Sequence, residues 1–196
     1  MEVVLATNNF DKVREMKRIL RGLNVKILTL KDFPHLSKVR EDGKTCKENA
    51  VKKAVAVALQ AGKVSLADDS ALEVKALGGK PGVHSSRFAG PGCTYNDNNR
   101  KLLRLLRGVP NNRRRARFAC VIAVAEPGGS VKTVTGMCYG KIGEKMEGRR
   151  GFGYDSVFIP SGYSRTFAQM GLINKNKISH RARALRKAKK LLSGIL

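Results

Sequence analysis

The order of apolar runs, polar turns and helix-like segments is the feature that most constrains the fold of this chain. The first run, Val3 to Ala6, leads into the polar turn Thr7-Asn8-Asn9, and Val13, Met16 and Leu20 then recur at helical spacing. Similar segments alternate along the rest of the chain, with a hairpin predicted near its middle. Strands that alternate with helices around a hairpin favour an α/β fold built on a mixed sheet.

Local signals predict where these elements begin and end. Asn9 or Asp11 is predicted to cap the first helix, Thr45-Cys46-Lys47-Glu48 fits a capping box for the second, and Ser179 is predicted to cap the last. The other predicted elements are strands at 3–6, 25–30, 64–67, 117–125, 131–139 and 155–159 and a helix at 94–107. Since no repeat or linker interrupts the pattern, we expect a single domain over residues 1–196.

Composition places the chain among ordinary globular proteins. Hydrophobic residues make up 42% of the 196 residues and charged residues 28%, which excludes overall disorder. No apolar stretch reaches the roughly 20 residues that span a bilayer, and the N-terminus lacks the pattern of a signal peptide, so we expect no membrane association. The four cysteines form no CxxC pair, which argues against structural zinc and predicts reduced thiols in a cytoplasmic location.

Net charge is the most unusual bulk property. Lys and Arg number 39 against 15 Asp and Glu, which gives a formal net charge of +24. A charge of this size predicts attraction to polyanions, either nucleotide phosphates or nucleic acid, and self-repulsion at low salt. A solvated basic surface without a dedicated partner is the alternative.

Asp68 and Asp69 stand side by side directly after the apolar run Val64-Ser65-Leu66-Ala67. Two adjacent carboxylates are tolerated most readily beside a cation, and at the end of a buried strand we expect that cation to be a metal ion. Mg²⁺ takes oxygen ligands and needs only one or two carboxylates when substrate phosphates complete its coordination. A polar turn in which one aspartate acts as a cap is the alternative interpretation.

The turn after the first strand is a candidate anion site. Thr7-Asn8-Asn9 precedes a helix with Lys12 in its first turn, where free backbone N–H groups and the helix dipole favour phosphate. The chain contains no GxxxxGK[ST] sequence, so this turn is not a P-loop.

Two later segments are candidates for binding a flat ligand. In Gly151-Phe152-Gly153-Tyr154-Asp155 the glycines allow the backbone to approach a ring, an aromatic side chain can stack on it, and Asp155 can accept a hydrogen bond from a ring N–H. In Ile178-Ser179-His180-Arg181 the His180 and Arg181 side chains would lie in the first turn of the last helix and could donate to base carbonyl oxygens. A glycine-rich bulge and a basic surface helix are the respective alternatives.

Six motifs in register resemble the inosine triphosphate pyrophosphatase family, which acts on non-standard purine nucleoside triphosphates. The resemblance runs from Val3 to the last helix and implies a two-lobed α/β unit around a long twisted mixed β-sheet flanked by helices, with the active-site cleft between the lobes. The motifs are Thr7-Asn8-Asn9 through Lys12, Glu41-Asp42-Gly43 through Glu48-Asn49-Ala50, Ala67-Asp68-Asp69-Ser70, Leu77-Gly78-Gly79 through Pro81-Gly82, Phe152-Gly153-Tyr154-Asp155, and Ile178-Ser179-His180-Arg181.

The resemblance implies roles for individual residues. Asp69 would be the general base, and Glu41 and Asp69 would bind Mg²⁺ with Asp68 as a supporting neighbour. The triphosphate would be held by Thr7, Asn8, Asn9, Phe10, Asp11 and Lys12. Further substrate contacts would come from Lys53, Ser70 and Lys175. The base pocket would be formed by Phe152, Gly153, Tyr154, Asp155, His180 and Arg181.

The reaction that the resemblance implies is hydrolysis between the α and β phosphates, which gives a nucleoside monophosphate and pyrophosphate. The residue types agree with this chemistry, because a polyanionic substrate needs cations and its attacking water needs a carboxylate base. Substrates would be ITP, dITP and XTP, removed from the nucleotide pool, with His180 and Arg181 donating to O6 of the purine. A homodimer is also implied.

The chain departs from the family pattern at a few positions. Asn8 and Ala71 stand where glycine is usual, and His84, Ser156 and Asn174 replace other common residues. If either glycine position requires φ > 0, asparagine tolerates it far better than alanine. No departure removes a proposed catalytic group.

Two other functions fit parts of the sequence. A basic RNA-binding protein on a degenerate pyrophosphatase scaffold is supported by the net charge, the cluster at 113–117, Arg149-Arg150 and the basic tail at 181–190, although these lack the aromatic residues of a stacking platform. An active enzyme could also contact RNA or a replication complex through its basic surface. A pyrophosphatase for modified pyrimidine triphosphates is the second alternative.

Overall fold

The computed structural model describes residues 2–37 and 39–195, and its mixed sheet flanked by helices confirms the predicted α/β class. The strands are β1 (Glu2–Leu5), β2 (Lys26–Thr29), β3 (Val64–Val74), β4 (Pro81–Gly82), β5 (Arg115–Ala125), β6 (Val131–Ile142) and β7 (Phe158–Pro160). The helices are α1 (Phe10–Ile19), α2 (Cys46–Ala61), α3 (Tyr95–Leu105), α4 (Phe167–Ile178) and α5 (His180–Ser193). No helix among the described residues is both long and apolar enough to cross a bilayer.

The sheet follows the order β2-β1-β3-β5-β6-β7, with β4 beside β3. β1 pairs in parallel with β2 and β3, whereas β4 runs antiparallel to β3 and β7 antiparallel to β6. The sheet is therefore mixed, as the alternation of elements predicts.

The chain divides into two compact units, and β3, β5 and β6 contribute residues to both. The first unit comprises Met1–Asp69, Cys120–Gly136 and Arg181–Leu196, and the second comprises Ser70–Ala119 and Met137–His180. The expectation of a single domain over 1–196 stays a prediction.

The core of the first unit consists of β-strand residues covered by α1 and α5. Val3 and Leu5 of β1 are fully buried, and Met16 of α1 and Leu185 of α5 pack into the same cluster. Continuous apolar runs are typical of strands buried on both faces, which is why β1 shows no alternation.

Caps at the helix ends agree with the local signals. The Asn9 side chain accepts a hydrogen bond from the Lys12 backbone N–H at 3.2 Å, so Asn9 rather than Asp11 caps α1. Thr45 caps α2 by accepting from the Glu48 N–H at 3.1 Å. The Glu48 carboxylate accepts from the Lys44 N–H at 2.7 Å instead of from Thr45, so it satisfies a backbone donor one residue earlier than the capping box requires.

β3 is longer than predicted, and the two aspartates lie inside it. The predicted strand at 64–67 continues to Val74, so Asp68 and Asp69 neither form a turn nor follow the strand's last residue. Carboxylates usually argue against a buried strand. Here both carboxylates have polar partners from neighbouring helices, and these contacts offset the cost of burying them in a strand.

The region after β6 differs most from the sequence prediction. The predicted strand at 155–159 is displaced to Phe158–Pro160, and Asp155 lies in a turn before it. α4 was not predicted at all, because Gly171, with φ of +73°, interrupts its helical pattern. Its start does carry a usable signal, since Thr166 and Gln169 form a complete capping box.

Aromatic side chains dominate the core of the second unit. Phe118, Phe158 and Phe167 are buried, with the Phe118 and Phe158 ring centroids 4.7 Å apart. Arg114 is also buried, and its guanidinium donates to the carbonyl oxygens of Leu106, Val109, Ile142 and Gly143.

Candidate active site

The turn after β1 presents backbone donors at the start of α1. Thr7 Oγ1 accepts from the Asn9 N–H at 3.2 Å, which fixes the turn just before the helix. No non-glycine residue in the described parts of the chain has φ > 0, so Asn8 and Ala71 replace glycine without backbone strain. Phe10 is 71% exposed. Asp11 forms an exposed pair with Arg14 at 3.2 Å.

Asp68 is fully buried among cations. Lys12 Nζ lies 3.1 Å from its Oδ1, and Arg181 Nε donates to its Oδ2 at 3.0 Å. Arg181 also donates to the Glu15 carboxylate at 2.6 Å. Burial alone would raise the pKa of Asp68, but Lys12, Arg181 and Lys53 outweigh it and hold that pKa well below its usual range. Asp68 is therefore a permanent anion that fixes the position of Lys12 and Arg181.

Asp69 has a different environment from its neighbour. Adjacent residues in a strand point to opposite faces, so its side chain is directed away from that of Asp68. Asn49 Nδ2 donates to Asp69 Oδ2 at 3.2 Å. Burial raises the pKa of Asp69 above its ordinary value, even though Lys53, Lys12 and Asn49 act in the opposite direction. A buried carboxylate with a raised pKa accepts protons more readily than an exposed one.

Lys53 connects the acidic groups from α2. It is 7% exposed, and its Nζ donates to the Asp68 carbonyl oxygen at 2.6 Å and lies 3.0 Å from Glu41 Oε1. Burial lowers the pKa of Lys53, but Asp68, Glu41 and Asp69 raise it by more, so the ammonium stays charged. The structure thus brings together Lys12, Glu41, Lys53, Asp68, Asp69 and Arg181 in the first unit.

The carboxylates around Lys53 provide oxygen ligands of the kind that a divalent cation needs. In the described part of the chain no group of three or more His, Cys, Asp or Glu side chains is placed to hold a metal ion. Mg²⁺ does not require three, because it commonly takes one or two carboxylates and fills its remaining positions with water and phosphate oxygens. Lys53 Nζ contacts both Glu41 Oε1 and the carbonyl oxygen of Asp68, so Glu41 lies close to the part of β3 that carries Asp69. The residues present fit Mg²⁺.

Asn49 is a site residue to which the sequence assigned no role. Its Oδ1 accepts from the Gly43 N–H at 2.8 Å while its Nδ2 donates to Asp69. A Cβ on Gly43 would lie 2.7 Å from Asn49 Oδ1, so only glycine fits this close approach. Asn49 and Lys53 are four residues apart on the buried face of an Ala/Val-rich helix, and polar residues at that spacing were the available signal.

Asp155 in the second unit is buried and bound from two sides. Its Oδ2 accepts from Lys175 Nζ at 2.6 Å and from the Phe152 N–H at 3.0 Å. Lys175 Nζ also lies 4.5 Å from the centroid of the Phe152 ring. Both predicted partners of a base, Phe152 and Asp155, are therefore organised by Lys175, a lysine that the resemblance implied only as a substrate contact.

Gly153, Tyr154 and His180 of the predicted base pocket lie in the same unit as Asp155, whereas Arg181 belongs to the first unit. The His180 ring stacks on Phe118 with centroids 4.4 Å apart and planes 9° from parallel. The Tyr154 hydroxyl donates to the Ser85 carbonyl oxygen at 2.8 Å, and Asn99 Nδ2 donates to the Gly153 carbonyl oxygen at 2.9 Å. Tyr95, absent from the predicted set, has its ring centroid 6.0 Å from that of Phe152. Ser70 is half-buried in β3.

A sequence model of the Ham1 family matches residues 3–191. The chain belongs to the Ham1 family. This membership confirms the resemblance on which the site residues were assigned.

Relatives and solved structures of Ham1 proteins match nearly the whole chain. The dITP/XTP pyrophosphatase of Desulforamulus reducens is 49% identical over 193 residues, covering 98% of this chain and 96% of that protein. The dITP/XTP pyrophosphatase of Geobacter sulfurreducens is 48% identical over 183 residues, covering 93% and 92%. The HAM1 protein from Coxiella burnetii has a TM-score of 0.90 at 38% identity, with 99% of each chain covered.

A structure of the nucleoside-triphosphatase or dITP/XTP pyrophosphatase from Mycobacterium abscessus has a TM-score of 0.78 at 36% identity, covering 96% of this chain and 98% of that one. The match to Ham1 structures agrees with the α/β fold described above.

Proposed function

We propose that this Ham1 protein hydrolyses non-canonical purine nucleoside triphosphates, namely ITP, dITP and XTP, to the monophosphate and pyrophosphate. The observation that carries the proposal is the division of roles between two adjacent aspartates. Asp68 is held as an anion by Lys12 and Arg181, whereas Asp69, directed to the opposite face of β3, accepts a hydrogen bond from Asn49 Nδ2 at 3.2 Å. Its relatives named dITP/XTP pyrophosphatase support the substrate class.

The cations of the first unit would bind the triphosphate. Lys12 and the backbone donors at the start of α1 suit phosphate oxygens, because a helix N-terminus and an ammonium both stabilise negative charge. Lys12 is 17% exposed at its side chain while paired with Asp68, so it can contact an arriving phosphate without leaving its carboxylate partner.

Asp69 would act as the general base. As the water oxygen forms a bond to the α-phosphorus, its proton passes to the Asp69 carboxylate, and the bond from that phosphorus to the bridging oxygen breaks so that pyrophosphate leaves. Asn49 holds the Asp69 carboxylate during this transfer. Mg²⁺ bound by Glu41 and Asp69 would neutralise phosphate charge and lower the pKa of a coordinated water.

The second unit would bind the base. Phe152 offers a half-buried ring beside Asp155, whose carboxylate can accept from a purine N–H while Lys175 holds it in place from 2.6 Å. Arg181 donates to Glu15 and Asp68, so we assign its main role to holding Asp68 and assign donation toward the purine O6 to His180. The homodimer and the cytoplasmic location stay predictions.

A panel of triphosphates tests the function directly. Pyrophosphate release would be measured for ITP, dITP, XTP, ATP, GTP and a modified pyrimidine triphosphate, each with and without Mg²⁺. We expect rapid release from ITP, dITP and XTP only, and only with the metal present. Equal rates on all purines would overturn the specificity, and release of orthophosphate instead of pyrophosphate would overturn the bond assignment.

Asp69→Asn tests the mechanism. The amide cannot take a proton from water, so we expect turnover to fall by at least about 100-fold, the usual contribution of a general base. Thermal unfolding should change little because the amide keeps the size of the side chain. Asp32→Asn makes the same change at an exposed position and should retain full activity. Substantial turnover in Asp69→Asn would exclude Asp69 as the base.

A further inference from the structure

Two helices of the first unit carry cations in the same spacing. On α1 and directly after it these are Arg14, Lys17, Arg18 and Arg21, and on α5 they are Arg183, Arg186, Lys187 and Lys190. Both sets follow the pattern i, i+3, i+4, i+7, which places four side chains on one face of a helix. All eight residues are exposed. We call these two sets the basic stripes.

The two stripes belong to neighbouring helices. Arg181 at the start of α5 donates to Glu15 in the middle of α1, and Lys189 near the end of α5 donates to the Arg21 carbonyl oxygen at 2.7 Å. The apolar sides of both helices, with Met16 on one and Leu185 on the other, share one core cluster. The stripes therefore lie on the solvent side of a single helical layer.

Repulsion within each stripe opposes helix stability, although the helix dipole favours Lys17 and Arg18 in the last turn of α1 and Lys190 in the last turn of α5. Like charges at i, i+3 and i, i+4 destabilise a helix, and α5 contains no acidic residue to offset them. Arg183 lies in the first turn of α5, where the helix dipole disfavours a cation. On α1 the half-buried acid Asp11 pairs with Arg14. An anionic ligand across the stripes would relieve this repulsion.

We propose that the basic stripes bind the phosphate backbone of a nucleic-acid duplex without reading its sequence. Seven helical residues rise about 10 Å, and packed helices lie about 8–10 Å apart, so the stripes present two short rows of cations. Rows at this separation suit phosphates on the two sides of a duplex groove, which is about 12 Å wide for the major groove of DNA. The contacts are charge-based, so binding depends steeply on salt.

The composition of this face selects a duplex over other polyanions. Single-strand binding relies on aromatic side chains that stack on bases, and neither stripe contains one. Binding in a lipid headgroup layer relies on exposed apolar residues, whereas the apolar side of α5 is buried in the core. The cluster at 113–117 is a weaker candidate than the sequence indicated, because Arg114 is buried and Arg117 pairs with Glu73 at 2.7 Å.

A matched pair of variants of the full chain tests the proposal. The first changes Lys17, Arg21, Arg186 and Lys190 to glutamine, and the control changes Lys47, Lys75, Arg104 and Arg107 to glutamine. Each variant removes two lysines and two arginines from exposed positions, so both have the same net charge. Dissociation constants would be measured for a short labelled DNA duplex, the corresponding RNA duplex, a single strand and acidic lipid vesicles, between about 50 and 200 mM NaCl.

We expect the unmodified chain to bind both duplexes and the stripe variant to bind them at least about tenfold more weakly. The slope of the logarithm of the binding constant against the logarithm of the salt concentration should become shallower by up to about 3.6, because four phosphate contacts are lost. The control should bind within about twofold of the unmodified chain. Equal losses in both variants would show that only net charge acts, and tighter binding to single strands or to acidic lipid vesicles would also overturn the proposal. Pyrophosphate release should be unchanged in both variants, so this test is independent of the proposed activity.

Discussion

At the scale of single residues, the pleat of β3 gives two identical side chains different chemistry. Asp68 meets Lys12 and Arg181 on one side, and Asp69 meets Asn49 on the other. The first is held ionised by its partners, and the second has its pKa raised by burial. An adjacent pair in an extended strand achieves this separation without any special turn.

Asn49→Ala tests how far catalysis depends on positioning. The change removes the donor to Asp69 Oδ2 and the acceptor of the Gly43 N–H, so Asp69 and the loop that carries Glu41 both lose their fixed orientation. We expect kcat to fall by about 10- to 100-fold and the Mg²⁺ concentration at half-maximal rate to rise, as for other residues that orient ligands. Steady-state kinetics in an Mg²⁺ titration measures both effects.

Asn49→Asp is the informative comparison. It keeps an acceptor for Gly43 but replaces the donor with a second carboxylate next to Asp69, which repels the ionised base. If Asn49 acts mainly through Gly43, this variant should retain activity. We expect it to be at least as impaired as Asn49→Ala, and the opposite order would remove Asn49 from the positioning of Asp69.

Tyr154 predicts a pH-dependent contribution to stability. Burial raises the pKa of its phenol, so the folded state keeps the proton at a pH where the unfolded chain has ionised. The stabilisation is complete below about pH 10, the pKa of the unfolded chain, and is lost as the pH rises toward the folded pKa. Tyr154→Phe should reduce the free energy of unfolding by about 1 kcal/mol at pH 7, because the bond to the Ser85 carbonyl is lost.

Above about pH 10 the difference in free energy of unfolding between the unmodified chain and Tyr154→Phe should shrink by up to roughly 1.4 kcal/mol per pH unit. Only the unmodified chain has the phenol of Tyr154, whose ionisation favours the unfolded state. Urea unfolding followed by circular dichroism from pH 7 to 11 measures it, and the exposed tyrosines cancel in the difference. A gap that stays constant over this range would show that Tyr154 ionises equally in both states.

At the scale of elements, local sequence signals correctly predicted those features that depend only on interactions between residues close together in the chain. The caps at Asn9 and Thr45 follow from side-chain and backbone preferences within a few residues, and the structure reproduces them. The length of β3 depends on Lys53 and Arg181, which approach from distant parts of the chain. No local pattern contains that information, so the strand was predicted to end too early.

The same distinction applies to the candidate site. Residue types at motif spacing indicated Asp69, Glu41 and the turn before Lys12, whereas the pairing of Lys175 with Asp155 joins two segments that the sequence treats separately. The function of Asn49 likewise depends on contacts with Gly43 and Asp69. Sequence patterns named the chemical groups, and tertiary contacts decided their partners.

The turn at 151–155 contains two glycines whose replacement by alanine tests whether Asp155 takes part in base binding. Gly151 and Gly153 both have positive φ, +84° and +62°, but only at Gly151 would a Cβ meet the Asp155 carboxylate, whereas at Gly153 nothing lies within 4 Å. Gly153→Ala should cost about 1–2 kcal/mol of backbone strain and little activity. Gly151→Ala should also displace Asp155 and raise KM for ITP several-fold. Equal KM values in the two variants, from initial rates, would contradict a role for Asp155 in base binding.

At the scale of the whole molecule, charge is the feature that the proposed enzyme activity leaves unexplained. The acids of the first unit mostly serve local tasks, such as Glu2 pairing with Lys26 and Lys63 or Asp32 accepting from Thr29. Few remain to balance the basic stripes. The folded chain therefore concentrates like charges that the unfolded chain holds further apart.

This imbalance predicts that salt stabilises the protein. The Debye length falls from about 10 Å at 0.1 M to about 3 Å at 1 M, so added NaCl screens repulsion between exposed cations more than it weakens buried pairs such as Arg181 with Asp68. We expect the melting temperature to rise by several degrees between about 20 and 500 mM NaCl, measured by calorimetry without nucleotide.

The stripe variant with glutamine at Lys17, Arg21, Arg186 and Lys190 should have a higher melting temperature at low salt and a smaller increase as NaCl is added. The control variant with the same net charge should keep more of the salt response, because its removed cations are not clustered on one helical layer. A melting temperature that is independent of salt, or that falls, would show that self-repulsion does not limit the stability of this chain.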